Sequence, residues 1–168
     1  MTDKQTSVKV AVVQAAPVLF DREATLEKSV SLVAQAAEEG AQLVLFPEAF
    51  IPAYPRGLSF GMVVGSRSSE GRRIWQRYWD NSVTIPGPGT EALGEAVREA
   101  GVYLAIGVIE KDSQFSGGTL YCTLLYYGPD GNILGKPRKL KPTASERLIW
   151  AAGDGSTLTP WSTPLGPI

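Results

Sequence analysis

Glu48 is the single carboxylate of the apolar stretch Phe46-Pro47-Glu48-Ala49-Phe50-Ile51. Such flanks predict partial desolvation, and a partly desolvated carboxylate suits a general base. Three lysines and an arginine gather in Lys136-Pro137-Arg138-Lys139-Leu140-Lys141-Pro142-Thr143. As a strand, this segment turns Arg138 and Leu140 to one face and Lys139 and Lys141 to the other, so one face can carry a single lysine into a pocket. As a loop, it is an ordinary solvated basic stretch. Glu146 follows Lys139 by seven residues, placed either to hold that lysine or to sit with Arg147 in a surface turn. Tyr54, six residues after Glu48, either lines the same pocket or packs beside Pro52 and Pro55. A carboxylate base activates a thiol or a water, and a fixed cation stabilises charge as it develops.

The elements that must position these groups follow from periodicity. Val8 to Val13 is a valine-rich run and predicts a first buried strand. Asp21 offers a helix N-cap, and Leu26, Val30, Val33 and Ala37 recur at helical spacing until Gly40. Ala41 to Phe46 predicts a buried central strand that Pro47 stops, placing Glu48 just past its carboxyl end, where open α/β sheets bind ligands. The unit is β-α-β with parallel strands. From Ile51 to Pro88, prolines and glycines predict a long functional loop carrying one short aromatic helix at Ile74, Trp75, Tyr78 and Trp79. Thr90 to Ala100 predicts a second helix ended by Gly101, followed by strands at Val102 to Glu110 and Leu120 to Tyr127. The turn Gly128-Pro129-Asp130-Gly131 then leads to Ile133-Leu134. The result is an α/β layered domain in which the strands bearing Glu48 and Lys139 are expected to be neighbours, so that both side chains converge in one cleft.

Composition narrows the function classes. With 43% hydrophobic and 20% charged residues in 168, the chain reads as one ordinary globular domain. A formal net charge of −1 and no long basic stripe argue against nucleic acid and anionic membrane as partners. No run approaches membrane-spanning length and no signal region follows the polar start, so a cytoplasmic location is the default expectation. The sequence contains no histidine, which excludes a histidine triad, a histidine-ligated metal and a histidine proton shuttle. Cys122 is the one cysteine, so there is no internal disulfide. It lies inside the predicted strand Leu120 to Tyr127 and reads as a small buried hydrophobe, not as a reachable nucleophile with a base beside it.

Taken in order, Val12-Val13-Gln14-Ala15-Ala16-Pro17, Phe46-Pro47-Glu48-Ala49, Gly117-Gly118-Thr119-Leu120-Tyr121, Arg138-Lys139-Leu140-Lys141-Pro142-Thr143, Glu146-Arg147, Trp150 and Gly153-Asp154-Gly155 resemble the nitrilase branch of the carbon–nitrogen hydrolases. The resemblance spans nearly the whole chain. It implies an α-β-β-α layered sandwich, incomplete in this chain, that forms homo-oligomers. It also implies hydrolysis of a small-molecule nitrile to a carboxylic acid and ammonia through a cysteine thioimidate and thioester, with no cofactor. The matching positions are Glu48 as general base, Lys139 as stabiliser of the tetrahedral intermediate, Glu146 as a further glutamate that orients the lysine or assists water, and Tyr54 in the substrate pocket. The family's nucleophile lies in a Cys-Trp-Glu motif soon after a Thr-Pro-(Ile/Leu)-Gly strand start, and this chain closes on Thr163-Pro164-Leu165-Gly166-Pro167-Ile168. Residues 1–168 are therefore expected to be a single carbon–nitrogen hydrolase domain cut before its nucleophile and inactive alone. The sequence departs from the family at Pro137, commonly histidine, and at Cys122, commonly asparagine. Rival readings are an amidase or carbamoylase on the same scaffold, favoured less by the Lys-Pro-Thr, Glu-Arg, Trp and Gly-Asp-Gly series, and a non-catalytic assembly fragment.

Overall fold

The structure is a computed structural model that describes residues 7–167; the polar start through Thr6 and the closing Ile168 lie outside the described residues. Its centre is a five-stranded sheet in the order β1-β2-β5-β6-β7. Strands β1 (Val10–Val12), β2 (Leu43–Leu45) and β5 (Tyr103–Lys111) run parallel, and β6 (Leu120–Tyr127) and β7 (Ile133–Gly135) are antiparallel. Between β2 and β5 the chain makes a small hairpin, β3 (Met62–Val63) and β4 (Ser66–Arg67), and β8 (Ser162–Thr163) and β9 (Gly166–Pro167) form a second ribbon.

Helix α1 (Arg22–Glu38) starts at Asp21, whose carboxylate accepts a hydrogen bond from the Ala24 N–H, and the chain leaves it through Gly40 at φ +83°. Helix α3 (Pro88–Ala100) stops at Gly101 in the left-handed conformation. Leu26 and Val33 of α1 and Leu93 and Val97 of α3 bury against Val44, Leu104, Ile106 and Leu125 on one sheet face. The Tyr127 hydroxyl donates to the Thr90 carbonyl at 3.0 Å and ties α3 to β6. Thr25 and Ser29 are more buried than Val30 and Ala37. Their hydroxyls donate to the carbonyls of Asp21 and Thr25, which removes the cost of enclosing them.

Two expectations need correction. The Val8–Val13 run is not a buried strand: β1 is an edge with Val12 72% exposed, while Ala11 and Val13 pack on the core. Its β-branched residues suit a strand covered on both faces, and among the described residues only one face is covered. The region from Ile51 to Pro88 is also more ordered than a loop with a short helix. Helix α2 runs from Ser69 to Asn81, capped by the Ser68 hydroxyl, which accepts from the Gly71 N–H. Its first turn is polar, so apolar periodicity alone revealed only its second half.

The step from β2 to Glu48 depends on a close backbone approach. Pro47 ends the strand, Glu48 to Phe50 turn with Ala49 at φ 51°, and Ile51 rejoins the sheet beside Val108. The Gly107 N–H donates to the Pro47 carbonyl at 3.2 Å, and the Ile109 N–H donates to the Ile51 carbonyl at 2.8 Å. A Cβ on Gly107 would stand 2.5 Å from both the Pro47 oxygen and the Ala49 nitrogen, so the turn lies flat on β5 only because that residue has no side chain. Gly107→Ala is expected to cost about 1–3 kcal/mol and displace the Glu48 turn. An unchanged urea midpoint for this variant would refute that packing.

Candidate active site

Past β7 the chain continues along the outer side of β6. The Leu124 N–H donates to the Pro137 carbonyl at 3.0 Å, the Lys139 N–H donates to the Cys122 carbonyl at 2.8 Å, and Arg138 bridges Thr123. Pro137 takes part through its carbonyl, although with no N–H it returns no bond to β6. The segment is extended, and alternation sends Arg138 and Lys139 to opposite faces. The strands that carry Glu48 and Lys139 are not neighbours, contrary to expectation, because β5 and β6 lie between them. The gap is roughly three strand spacings of about 4.8 Å each. It is closed because the Glu48 turn lies over β5 at Gly107 and the long lysine side chain reaches back across β6.

Lys139 Nζ stands 2.5 Å from Glu48 Oε1 and 2.9 Å from Glu146 Oε2. Glu146 belongs to the short 3-10 turn Ala144–Leu148, and its Oε2 also accepts from the Thr143 N–H at 2.5 Å. Its Oε1 accepts from the Tyr54 hydroxyl at 2.6 Å. Tyr54 meets Trp150 edge-on at 5.5 Å, and Lys139 Nζ lies 5.8 Å from the same indole ring. The structure thus brings Glu48, Lys139, Glu146 and Tyr54 together. Both hydrogen bonds that the described residues make to Glu48, from Lys139 and from the Cys122 thiol at 3.3 Å, fall on Oε1 and leave Oε2 open.

Two sequence arguments fail here. The apolar flanks do not enclose Glu48: Phe46, Phe50 and Ile51 turn into the core and leave its side chain 48% exposed on the sheet face. Cys122 is not remote from the site, since pairing across β5 and β6 sets it beneath Glu48. Its thiol is nevertheless held protonated, because burial pushes its pKa far up and the Glu48 charge adds to the shift.

The charge pattern is self-consistent. Burial would lower the Lys139 pKa, but the hydrogen bonds to Glu48 and Glu146 outweigh it and keep the ammonium charged well beyond neutral pH. Burial would likewise raise Glu146, but the bonds from Tyr54 and Lys139 outweigh it and hold the carboxyl below its usual range. The bond to Glu146 and then burial raise Tyr54, which remains a hydrogen-bond donor. Two cavities flank the cluster. One of about 600 Å³ is lined by Glu48, Cys122, Lys139, Leu45, Leu124 and Tyr126, and another of about 1140 Å³ by Tyr54, Arg56, Phe60, Glu146 and Ile149.

Comparison with known proteins decides the family. The carbon-nitrogen hydrolase family matches residues 9–168. The chain belongs to the carbon-nitrogen hydrolases. It is 53% identical over 161 residues to an aliphatic nitrilase of Sinorhizobium fredii, covering 96% of this chain and 51% of that relative. It is 47% identical over 166 residues to nitrilase 3 of Arabidopsis thaliana, covering 99% of this chain and 47% of the relative. An amidase from Nesterenkonia sp. superposes with a TM-score of 0.60 at 20% identity, covering 91% of this chain and 49% of the amidase. A carbon-nitrogen hydrolase from Helicobacter pylori superposes with a TM-score of 0.59 at 19% identity, covering 88% of this chain and 45% of that one. The chain spans about half the length of the curated relatives it matches, and its mixed sheet with helices is the nitrilase-superfamily fold. No helix of the described residues is long and apolar enough to cross a membrane.

One group of this carbon-nitrogen hydrolase chain escaped sequence reasoning altogether. Glu110, the last residue of a predicted apolar strand, is 1% exposed and pairs with Lys136 and Arg138. The available signal was the i, i+2 spacing of those two cations, which places them on the face opposite Lys139.

The lowered Glu146 carboxyl has a testable sign. A depressed pKa contributes stability above the ordinary carboxylate range, and that stability is lost as pH falls through the folded value. Tyr54→Phe removes one donor, so the Glu146 titration followed by 13C NMR should move up and acid destabilisation should begin at higher pH. An unmoved titration would show that the 2.6 Å bond does not form in solution.

Proposed function

We propose that the protein carrying this chain hydrolyses nitriles to carboxylic acids and ammonia, and that these residues supply its base and its fixed cation. The observation that carries the proposal is the single ammonium shared by Glu48 and Glu146, with Glu48 Oε2 left open. The relatives of about 50% identity are named nitrilases, which favours a nitrile over an amide as substrate. In this reading a cysteine thiol from a longer protein, beyond Ile168, attacks the nitrile carbon as Glu48 Oε2 takes the thiol proton. The nitrile π electrons move to nitrogen, which is protonated to give a thioimidate. Water adds, ammonia leaves, and a second water hydrolyses the thioester to the acid and regenerates the thiol. Glu48 takes protons from nucleophile and water in turn, and Lys139 stabilises the negative charge that forms at each addition. Glu146 holds Lys139, and Tyr54 holds Glu146 at the wall of the larger cavity. No cofactor enters this scheme.

Residues 1–168 are read as part of a single domain, and the open sheet face bearing Val10, Val12 and Leu45 is read as covered in the longer, homo-oligomeric protein. The chain by itself should therefore release no ammonia from nitriles and should associate in solution. Ammonia release by a monodisperse monomer that is lost on Cys122→Ala would instead make Cys122 the nucleophile.

In the full-length protein, Glu48→Gln keeps the shape and removes the base, and turnover should fall by roughly 10²–10⁴-fold. Lys139→Ala should lower it by roughly 10²–10³-fold. Most of the wild-type kcat surviving in Glu48→Gln would point to a different base.

A further inference from the structure

Arg138 precedes Lys139, and its guanidinium lies on the face away from Glu48. Nε donates to Glu110 Oε2 at 3.0 Å and Nη2 donates to Oε1 at 2.7 Å, a two-pronged grip. The same carboxylate accepts from Lys136 Nζ and from the Thr123 hydroxyl, each at 2.7 Å. The guanidinium also stacks on Tyr121 at 3.8 Å. Burial would raise the Glu110 carboxyl, but the bonds from Arg138, Lys136 and Thr123 outweigh it and keep it ionised. A buried carboxylate of this kind is stable only with its partners in place, and the reaction above makes no use of it.

The backbone holds the Lys139 segment sparingly. Pro137 has no N–H to return to β6, and the Arg138 N–H, which this register points away from β6, goes to the Thr157 hydroxyl at 3.1 Å. Three main-chain bonds remain between Pro137 and Lys139, to Leu124, Cys122 and Gly153. A slip of one residue against β6 exchanges the two faces and turns Lys139 away from both carboxylates. We propose that Glu110 is a positioning residue for Lys139: by gripping Arg138 on the far face, it locks the register in which Lys139 reaches Glu48 and Glu146. The proposal rests on the role of Lys139 in nitrile hydrolysis.

The test is Glu110→Gln in the full-length protein. The expected result is a kcat roughly ten- to a hundredfold lower with KM within about twofold, because the cation is misplaced and not removed. The Glu146 titration, read by 13C NMR on the folded protein, should rise toward the ordinary carboxylate range as Lys139 withdraws. A role in fold stability alone would lower the melting temperature and move neither quantity. Arg138→Lys keeps a cation beside Glu110 without the fork, and it should give the same two changes if Glu110→Gln does not fold. A kcat within twofold of wild type, or an unmoved Glu146 titration, overturns the assignment. Lys139→Ala is measured alongside. Turnover that survives it sinks the nitrile reading of Lys139, and the Glu146 titration then decides by itself whether Glu110 sets the lysine's position.

Discussion

One ammonium between two carboxylates holds the site together. Glu48, Lys139 and Glu146 come from a turn over β5, an extended segment outside β6 and a short 3-10 turn. Without Lys139 the carboxylates would repel each other. With it each gains an attraction of up to about 4 kcal/mol at contact distance in a protein-like dielectric, less for the half-exposed Glu48. The net charge of the trio is −1, which fits the proposed reaction, in which one carboxylate takes up a proton beside a cation that stays in place.

The sheet separates two tasks by face. Toward α1 and α3 it buries a continuous aliphatic core and, at one end, the Glu110 cluster. On the opposite face, which carries Glu48, Cys122 and Lys139, Ile109, Leu120 and Cys122 bury against Tyr78 and Trp150 at one end, while an apolar strip running to Leu45 and Val12 stays open at the other. Alternation along a strand allows this with no intervening residue, since Arg138 meets Glu110 on one side while Lys139 meets Glu48 on the other. Gly107 serves the same end by leaving room for a turn to lie directly on the sheet.

Cys122 shows how a local argument goes astray. Its position inside a strand correctly indicates burial, yet burial did not mean distance from the site, because β6 passes beneath the meeting point of Glu48 and Lys139. A low-polarity setting beside an anion keeps the thiol protonated. What argues against a nucleophile here is its electrostatics, not its place in the chain.

The sequence by itself determined most local structure: the Asp21 cap, the Gly40 and Gly101 stops, the bounds of β6 and the proline that ends β2. Each depends on a residue's own conformational preference or on its near neighbours, so it is legible without the fold. Residue type also singled out Glu48, Lys139, Glu146 and Tyr54. That they meet was decided by the tertiary structure, which crosses two intervening strands to bring Lys139 to Glu48. Tertiary structure alone likewise exposed β1, lengthened α2 and enclosed Glu110 with Arg138 and Lys136. The physical reason is the same in each case. Which face of a strand is covered, and which charge finds a partner, depends on segments far apart in the chain, and neither periodicity nor composition carries that distance.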